Sequence, residues 1–166
     1  MSLHPIDPTA LSCNPFTLIG KEWALLSAGD ASGFNMMTVS WGNMGVMWNK
    51  NIVTAFVRPQ RYTKGFIDRS DKFTLSFYEE ELRPALALCG SKSGRELNKA
   101  KAAGLTPVFE NGTVYFQEAK LVLECRKIYA DKIRPEGFLT EEIAASYPEK
   151  DYHIVYMGEI LRVLGK

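Results

Sequence analysis

With 166 residues, 46% of them hydrophobic and 23% charged, the chain is long enough to bury a real core and too apolar to be disordered. A net charge of +1 lacks the strongly basic face that nucleic-acid binding needs, and no apolar run approaches the ~20 residues that span a bilayer. Two histidines, no CxxC and no HExxH argue against a metal site built from protein ligands. The N-terminus, Met1-Ser-Leu-His-Pro-Ile-Asp-Pro8, has no basic region followed by an apolar stretch, so no signal peptide is expected. Cys13, Cys89 and Cys125 are then expected as free thiols in a reducing cytoplasm.

Residues 1–20 carry Pro5, Pro8 and Pro15 and read as an irregular lead-in. A first strand is predicted at Trp23–Ala28, closed by Gly29-Asp-Ala-Ser-Gly33, and a second at Met36–Trp41. Ile52–Val57, mostly β-branched or aromatic, predicts a strand buried on both faces. Phe73–Tyr78 alternates Leu and aromatics with Thr and Ser, which predicts a half-buried strand. Glu79–Leu88, with three leucines near helical spacing, reads as helical, although it carries Pro84, which a helix tolerates best in its first turn. A second helix is predicted from Ser93, where Ser93 and Glu96 fit a capping box, to about Ala103, with Gly104 as its stop.

After Pro107 the pattern returns to strands, and Thr113–Ala130 is long enough for one bent strand or two. Thr140–Tyr147 predicts a short capped helix closed before Pro148. His153–Leu164 predicts a final strand, with Gly158 as a bulge or a point of close approach. Strands dominate and helices are inserted between them, so a mainly β antiparallel barrel with appended helices suits the order better than regular βαβ alternation.

Four segments can carry chemistry. In Asn35-Met-Met-Thr-Val-Ser-Trp-Gly42, Thr38 and Ser40 share one face of a strand. They either face water or hydrogen-bond the edge of a heteroaromatic ring. In Arg58-Pro-Gln-Arg-Tyr-Thr63, Arg58 and Arg61 can bind a phosphate through charge-assisted bonds, with help from Thr63 and a helix start, or can simply be a solvated loop. In Cys89-Gly-Ser-Lys-Ser-Gly94, small residues allow close approach of a ligand, and Ser91, Lys92 and Ser93 suit an anion. The alternative there is plain helix capping. Lys99 is a further cationic contact or a surface residue. His153 is either structural or a hydrogen-bond donor or proton carrier beside a redox ring.

The order of these segments resembles the flavin reductase-like family, and within it the flavoredoxin-like branch. The resemblance rests on Asn35-Met-Met-Thr-Val-Ser-Trp41, Arg58-Pro-Gln-Arg-Tyr-Thr63, Gly90-Ser-Lys-Ser-Gly-Arg95 with Lys99, and His153 through Gly158-Glu159-Ile160, and spans about Trp23 to Val163. It implies one domain over residues 1–166 with an antiparallel Greek-key split β-barrel, and a cytoplasmic homodimer holding FMN near the subunit interface. Asn35 and Met37, Thr38, Val39, Ser40 and Trp41 would line the flavin. Arg58, Gln60, Arg61 and Thr63 would serve its ribityl–phosphate end. Cys89, Gly90, Ser91 and Ser93 would close over it, with Lys99 as an added donor. His153 would sit by the flavin as the catalytic candidate.

The implied activity is an NADH- or NADPH-dependent flavin reductase that passes electrons through FMN to flavin or another acceptor. An electron carrier reduced by a redox protein partner, and an FMN-binding protein without turnover, remain open. The chain departs from the common reductase pattern after Trp41. Gly42-Asn-Met-Gly-Val-Met-Trp48 stands where small hydroxyl residues and an aspartate-proline pair are usual, and this segment bears on the choice of electron donor.

Overall fold

The computed structural model describes residues 2–166. Its strands are β1 (His4–Ile6), β2 (Ala24–Asp30), β3 (Gly33–Val39), β4 (Gly42–Met47), β5 (Lys50–Val57), β6 (Lys72–Phe77), β7 (Pro107–Glu110), β8 (Thr113–Phe116), β9 (Leu121–Lys132) and β10 (Ile154–Gly165). The α-helices are α1 (Pro15–Thr17), α2 (Tyr62–Arg69), α3 (Arg83–Ser91), α4 (Lys99–Ala103) and α5 (Glu141–Ala144). One antiparallel sheet runs β3-β2-β6-β9-β10-β5-β4, with β1 on β10, while β7 and β8 form a separate hairpin. The sheet curls until β3 touches β5. The result is the expected mainly β split barrel with helices appended. Among the described residues, no helix is long and apolar enough to cross a membrane.

Strand periodicity builds two cores from one sheet. Leu25 and Leu26 are adjacent in β2 and both fully buried, yet they point to opposite faces. Leu26 joins Val53, Phe73, Leu75, Leu123 and Tyr156 inside the barrel. Leu25 joins Met36, Leu86, Phe116 and Val122 under α3 and α4. Each fully buried Leu or Phe contributes ~1.5–3 kcal/mol, so β2 is anchored by packing on both faces.

Gly158 behaves as its position in the sequence suggests. The β9–β10 register shifts between Met157 and Gly158. A Cβ there would lie 2.5 Å from Phe73 Cζ and 2.7 Å from Cys125 Cβ. The long Thr113–Ala130 stretch divides into β8 and β9.

Three expectations need correction, and one strand was not foreseen. The lead-in, of which Met1 lies outside the described residues, holds a short strand on β10 and several single helical turns. Gly42–Met47 is a strand, β4, paired with β5 through a Trp48–Asn49 turn in which both residues have positive φ. The helix predicted from Ser93 begins at Lys99. Asn98 caps it through a bond from Lys101 N–H, while Ser93 and Glu96 form only a turn. The end of that helix is as expected, with Gly104 at φ 67° in the left-handed region. Finally, Thr140 precedes α5 without a side-chain capping bond.

Candidate functional site

Closure of β3 against β5 leaves two connected hollows on the outside of the barrel. The first, about 180 Å³, is lined by Met37 to Trp41, Phe56, Arg58, Arg61 and His153. The second, about 200 Å³, is lined by Asn35, Gln60 to Thr63, Gly90 to Arg95 and Lys99. Arg61 belongs to both. A flat group in the first can therefore continue into a tail in the second.

The second hollow is cationic. Lys99 is 3% exposed, and its Nζ donates to the carbonyls of Cys89 at 2.8 Å and Lys92 at 3.2 Å. Burial, with a smaller contribution from Arg61, pulls its pKa down to about 8. Burial also lowers the pKa of Arg61, whose one side-chain hydrogen bond among the described residues is a long one, 3.5 Å from Nη2 to the carbonyl of Cys89. No carboxylate pairs with Arg61, Lys92, Arg95 or Lys99 among the described residues. Two neighbouring cations drawn into the protein without a counter-charge suit this hollow to an anion.

Hydroxyls and backbone complete it. Thr63 Oγ1 accepts a bond from Asn35 Nδ2 at 2.9 Å, which leaves its own proton free to donate. No side chain caps the N-terminus of α2, so its first N–H groups remain available. Gly94 packs so closely that a Cβ would fall 2.3 Å from Asn35 Oδ1 and 2.9 Å from Tyr62 Cδ1. The loop from Gly90 to Arg95 thus closes one wall only because Gly94 has no side chain.

The first hollow has a different character. His153 is buried, and its ring packs 5.2 Å from that of Trp41 and edge-on to Phe56 at 6.4 Å. Burial, reinforced by the Arg58 guanidinium and opposed by Asp151, lowers the His153 pKa to about 4. The imidazole is therefore uncharged at neutral pH. The Tyr147 hydroxyl lies 2.9 Å from its Nδ1. Beyond Trp41 and Phe56, which the two share, lies a groove formed by Phe16, Ile19, Gly42 and Met44, with no charged side chain on its walls.

The predicted residues divide along these lines. Asn35, Gln60, Arg61, Thr63, Gly90, Ser91, Ser93 and Lys99 meet at the cationic hollow. Met37, Thr38, Val39, Ser40, Trp41 and His153 meet at the other. Arg58 does not reach the cationic hollow. It pairs with Asp151, donates to the carbonyl of Ser146 at 3.0 Å, and lies 5.2 Å above the Tyr147 ring. Cys89 is fully buried, and only its carbonyl serves the site, through Lys99 and Arg61. Its thiol pKa is raised by burial. The Thr38 hydroxyl donates to the carbonyl of Leu86 and ties α3 to β3, so what Thr38 presents to the hollow is chiefly backbone.

Sequence reasoning missed Phe56 and Tyr147. Phe56 carried a signal, since it shares strand parity with Arg58. Tyr147 carried none, because its partner lies across the α5–β10 connection. A larger cavity of about 520 Å³ beside Lys21, Glu22, Arg83 and Lys120 is internally neutralised. Lys120 pairs with Glu22 at 2.8 Å and Glu79 at 3.5 Å there.

Comparison with known proteins agrees with a split barrel. The sequence model described as a flavin reductase like domain matches residues 17–165, and the chain belongs to that family. No curated protein matches the chain in sequence. Among solved structures, a flavoredoxin from Methanosarcina acetivorans is 21% identical with a TM-score of 0.67, over 87% of this chain and 68% of that one. An FMN-binding protein from Thermus thermophilus, solved with bound 1-cyclohex-2-enone, is 18% identical with a TM-score of 0.70, over 96% and 80%. An FMN-binding domain of a flavin reductases-like enzyme from Shewanella baltica is 15% identical with a TM-score of 0.69, over 98% and 76%. At these identities the likenesses speak for the fold.

Proposed function

We propose that residues 1–166 form one FMN-binding oxidoreductase domain, with the phosphate in the cationic hollow and the flavin ring against Met37 to Trp41. The carrying observation is the Arg61–Lys99 pair without a carboxylate. When bound, FMN would supply the hydride and electron chemistry. The chain's own part is to bind and orient. Arg61 and Lys99, with the hydroxyls of Thr63 and Ser93, would hold the anionic end, while the Ser91 hydroxyl donates to the carbonyl of Ala87 at 2.9 Å and would offer the site only its backbone. Backbone N–H groups of Thr38 to Trp41 would donate to the ring edge, and His153 would face the ring from β10.

NADH or NADPH is the proposed donor, and flavin or another small molecule the acceptor. The chain is proposed to act as a cytoplasmic homodimer. Free Cys13, Cys89 and Cys125 fit a reducing compartment. Exposed Phe16 (85%), Val46 (75%), Trp48 (52%) and Trp41 (49%) form apolar surface that a second copy would cover.

One observation favours a second reading. The uncharged groove beyond Trp41 offers no cation to the pyrophosphate of a nicotinamide dinucleotide. That suits an electron carrier reduced by a protein partner, and two flavoredoxins are among the similar structures.

Titration with FMN and with riboflavin tests the cofactor assignment. FMN should bind one per chain with loss of flavin fluorescence, and riboflavin, without the phosphate, should bind much more weakly. Equal affinity would remove the phosphate from the cationic hollow. Anaerobic mixing of the FMN-loaded protein with NADH or NADPH separates the two readings. Rapid bleaching supports the reductase. Bleaching only by a reduced ferredoxin supports the carrier.

A further inference from the structure

We propose that Tyr147 is a positioning residue for His153: its hydroxyl donates to Nδ1 and fixes the proton of the ring on Nε2, which opens into the flat hollow as a hydrogen-bond donor toward an acceptor oxygen such as a carbonyl. The proposal deepens the flavoprotein reading, on which the nature of the ligand rests, but the tautomer itself does not depend on that reading.

The geometry gives the direction of the bond. Tyr147 is 6% exposed, and its hydroxyl has one hydrogen-bond partner among the described residues, His153 Nδ1 at 2.9 Å. Were Nδ1 the donor, the hydroxyl proton would be left buried without an acceptor, which is disfavoured. Donation from Tyr147 satisfies both groups. Burial raises the pKa of the phenol, so it keeps its proton throughout the neutral range.

With Nδ1 occupied as an acceptor, an uncharged imidazole carries its proton on Nε2. Nε2 has no protein partner among the described residues. It is also absent from the buried, unpartnered polar atoms, which are the hydroxyls of Ser27, Ser76, Tyr78 and Thr113. Since the ring lines the flat hollow, Nε2 is open to it. The remaining charged groups facing the ring, Arg58 and Asp151, are paired with each other.

Arg58 gives Tyr147 its fixed place. It holds the Ser146 carbonyl at 3.0 Å, pairs with Asp151, and lies over the Tyr147 ring at 5.2 Å. Gln60 adds a bond to Asp151 at 2.8 Å. The segment from Ser146 to His153 is thereby bound to the loop after β5. The Phe138 ring stacks on the outer face of Tyr147 at 5.9 Å and 15°.

Long-range proton–nitrogen NMR of ¹⁵N-histidine-labelled protein, with no ligand added, tests the proposal. The chain has two histidines, and exposed His4 serves as the internal reference. At neutral pH, His153 should show one pyridine-like nitrogen, Nδ1, and one pyrrole-like nitrogen, Nε2, well separated. In Tyr147→Phe, which removes a single oxygen, the two signals should move toward their average as the tautomers mix. A pyrrole-like Nδ1 in the unmutated protein, or an unchanged spectrum in Tyr147→Phe, overturns the proposal. If the variant does not fold, coupling between the Tyr147 hydroxyl proton and Nδ1 in the unmutated protein decides: its presence supports donation by tyrosine, its absence overturns it. FMN loading, followed separately by fluorescence, tests the flavoprotein reading without touching this result.

Discussion

Lys99 Nζ sits 2.8 Å from the carbonyl of Cys89, so a buried ammonium is held by backbone dipoles and by no carboxylate. Its pKa of about 8 lies below the ordinary lysine value because burial disfavours the charge. Two pH effects follow from the sign. Without a ligand, the unfolded chain binds the proton more tightly than the folded one. Stability from this group should therefore rise between about pH 8 and 10.5. With an anion bound the charged form is favoured, so affinity for FMN should fall as pH rises through about 8. It should also fall below about 6, where a phosphate monoester loses its second charge. Lys99→Met should flatten the alkaline limb of affinity against pH, and an unchanged limb in that variant would remove Lys99 from the anion site.

Arg58 and Arg61 are three residues apart and serve different ends. Arg61→Ala should weaken FMN binding by ~1.5–3 kcal/mol, the usual loss for a charge-assisted contact, with little change in melting temperature. Arg58→Ala should do the reverse. It breaks the pair with Asp151 and the bond to Ser146, so it should lower stability by about 1–3 kcal/mol and leave the phosphate contribution to affinity intact. The difference in affinity between FMN and riboflavin, measured in each variant, isolates that contribution. A loss of phosphate discrimination in Arg58→Ala would reverse the assignment.

This division marks where the sequence stopped being legible. The strands of the barrel could be read because alternation and β-branching are local: Ile52–Val57 and Phe73–Tyr78 fall almost on β5 and β6. Gly158 could be read because a glycine inside an apolar strand signals close approach. The strand β4 was hidden, since Gly42 and Gly45 break any alternation and its partner is supplied by β5. The capping box at Ser93 was a false match, because Asn98 lies five residues later and caps α4 instead. Which of two arginines is left without a carboxylate depends on Asp151, some ninety positions away, and no local pattern carries that. Tyr147 escaped for another reason: its partner His153 is only six residues on, but the irregular connection between α5 and β10 has no periodicity from which their contact could be read.

His153 gives a prediction in acid. Its pKa is lowered by burial to about 4, against about 6.5 when unfolded. Below 6.5 the unfolded chain takes up a proton that the folded chain refuses. The stabilising contribution is therefore complete above about 6.5 and is lost as pH falls toward 4, with a total on the order of 3 kcal/mol. Denaturant titrations from pH 7 to 4 should show this slope in the unmutated protein and a shallower one in His153→Phe. Parallel slopes would mean that the imidazole is not held uncharged. His153→Ala should retain FMN and be reduced more slowly, and an unaltered reduction rate would leave His153 a structural role alone.

Two glycines separate damage to the site from damage to the fold. Gly158→Ala would place a Cβ 2.5 Å from Phe73 Cζ and 2.7 Å from Cys125 Cβ, both fully buried. Neither can yield without repacking the barrel interior, so a loss of ~1–3 kcal/mol is expected. The FMN affinity of the protein that remains folded should hardly change. Gly94→Ala would instead strike Asn35 Oδ1 at 2.3 Å. Asn35 is buried and its amide bonds Thr63, so moving it displaces a hydroxyl of the anion site. Here affinity should fall by tenfold or more, an order-of-magnitude figure for one lost hydrogen bond to a charged group, while melting temperature should drop less than in Gly158→Ala. Isothermal titration with FMN and thermal unfolding of both variants make the comparison. If Gly94→Ala binds FMN normally, the Gly90–Arg95 loop does not form a wall of the site.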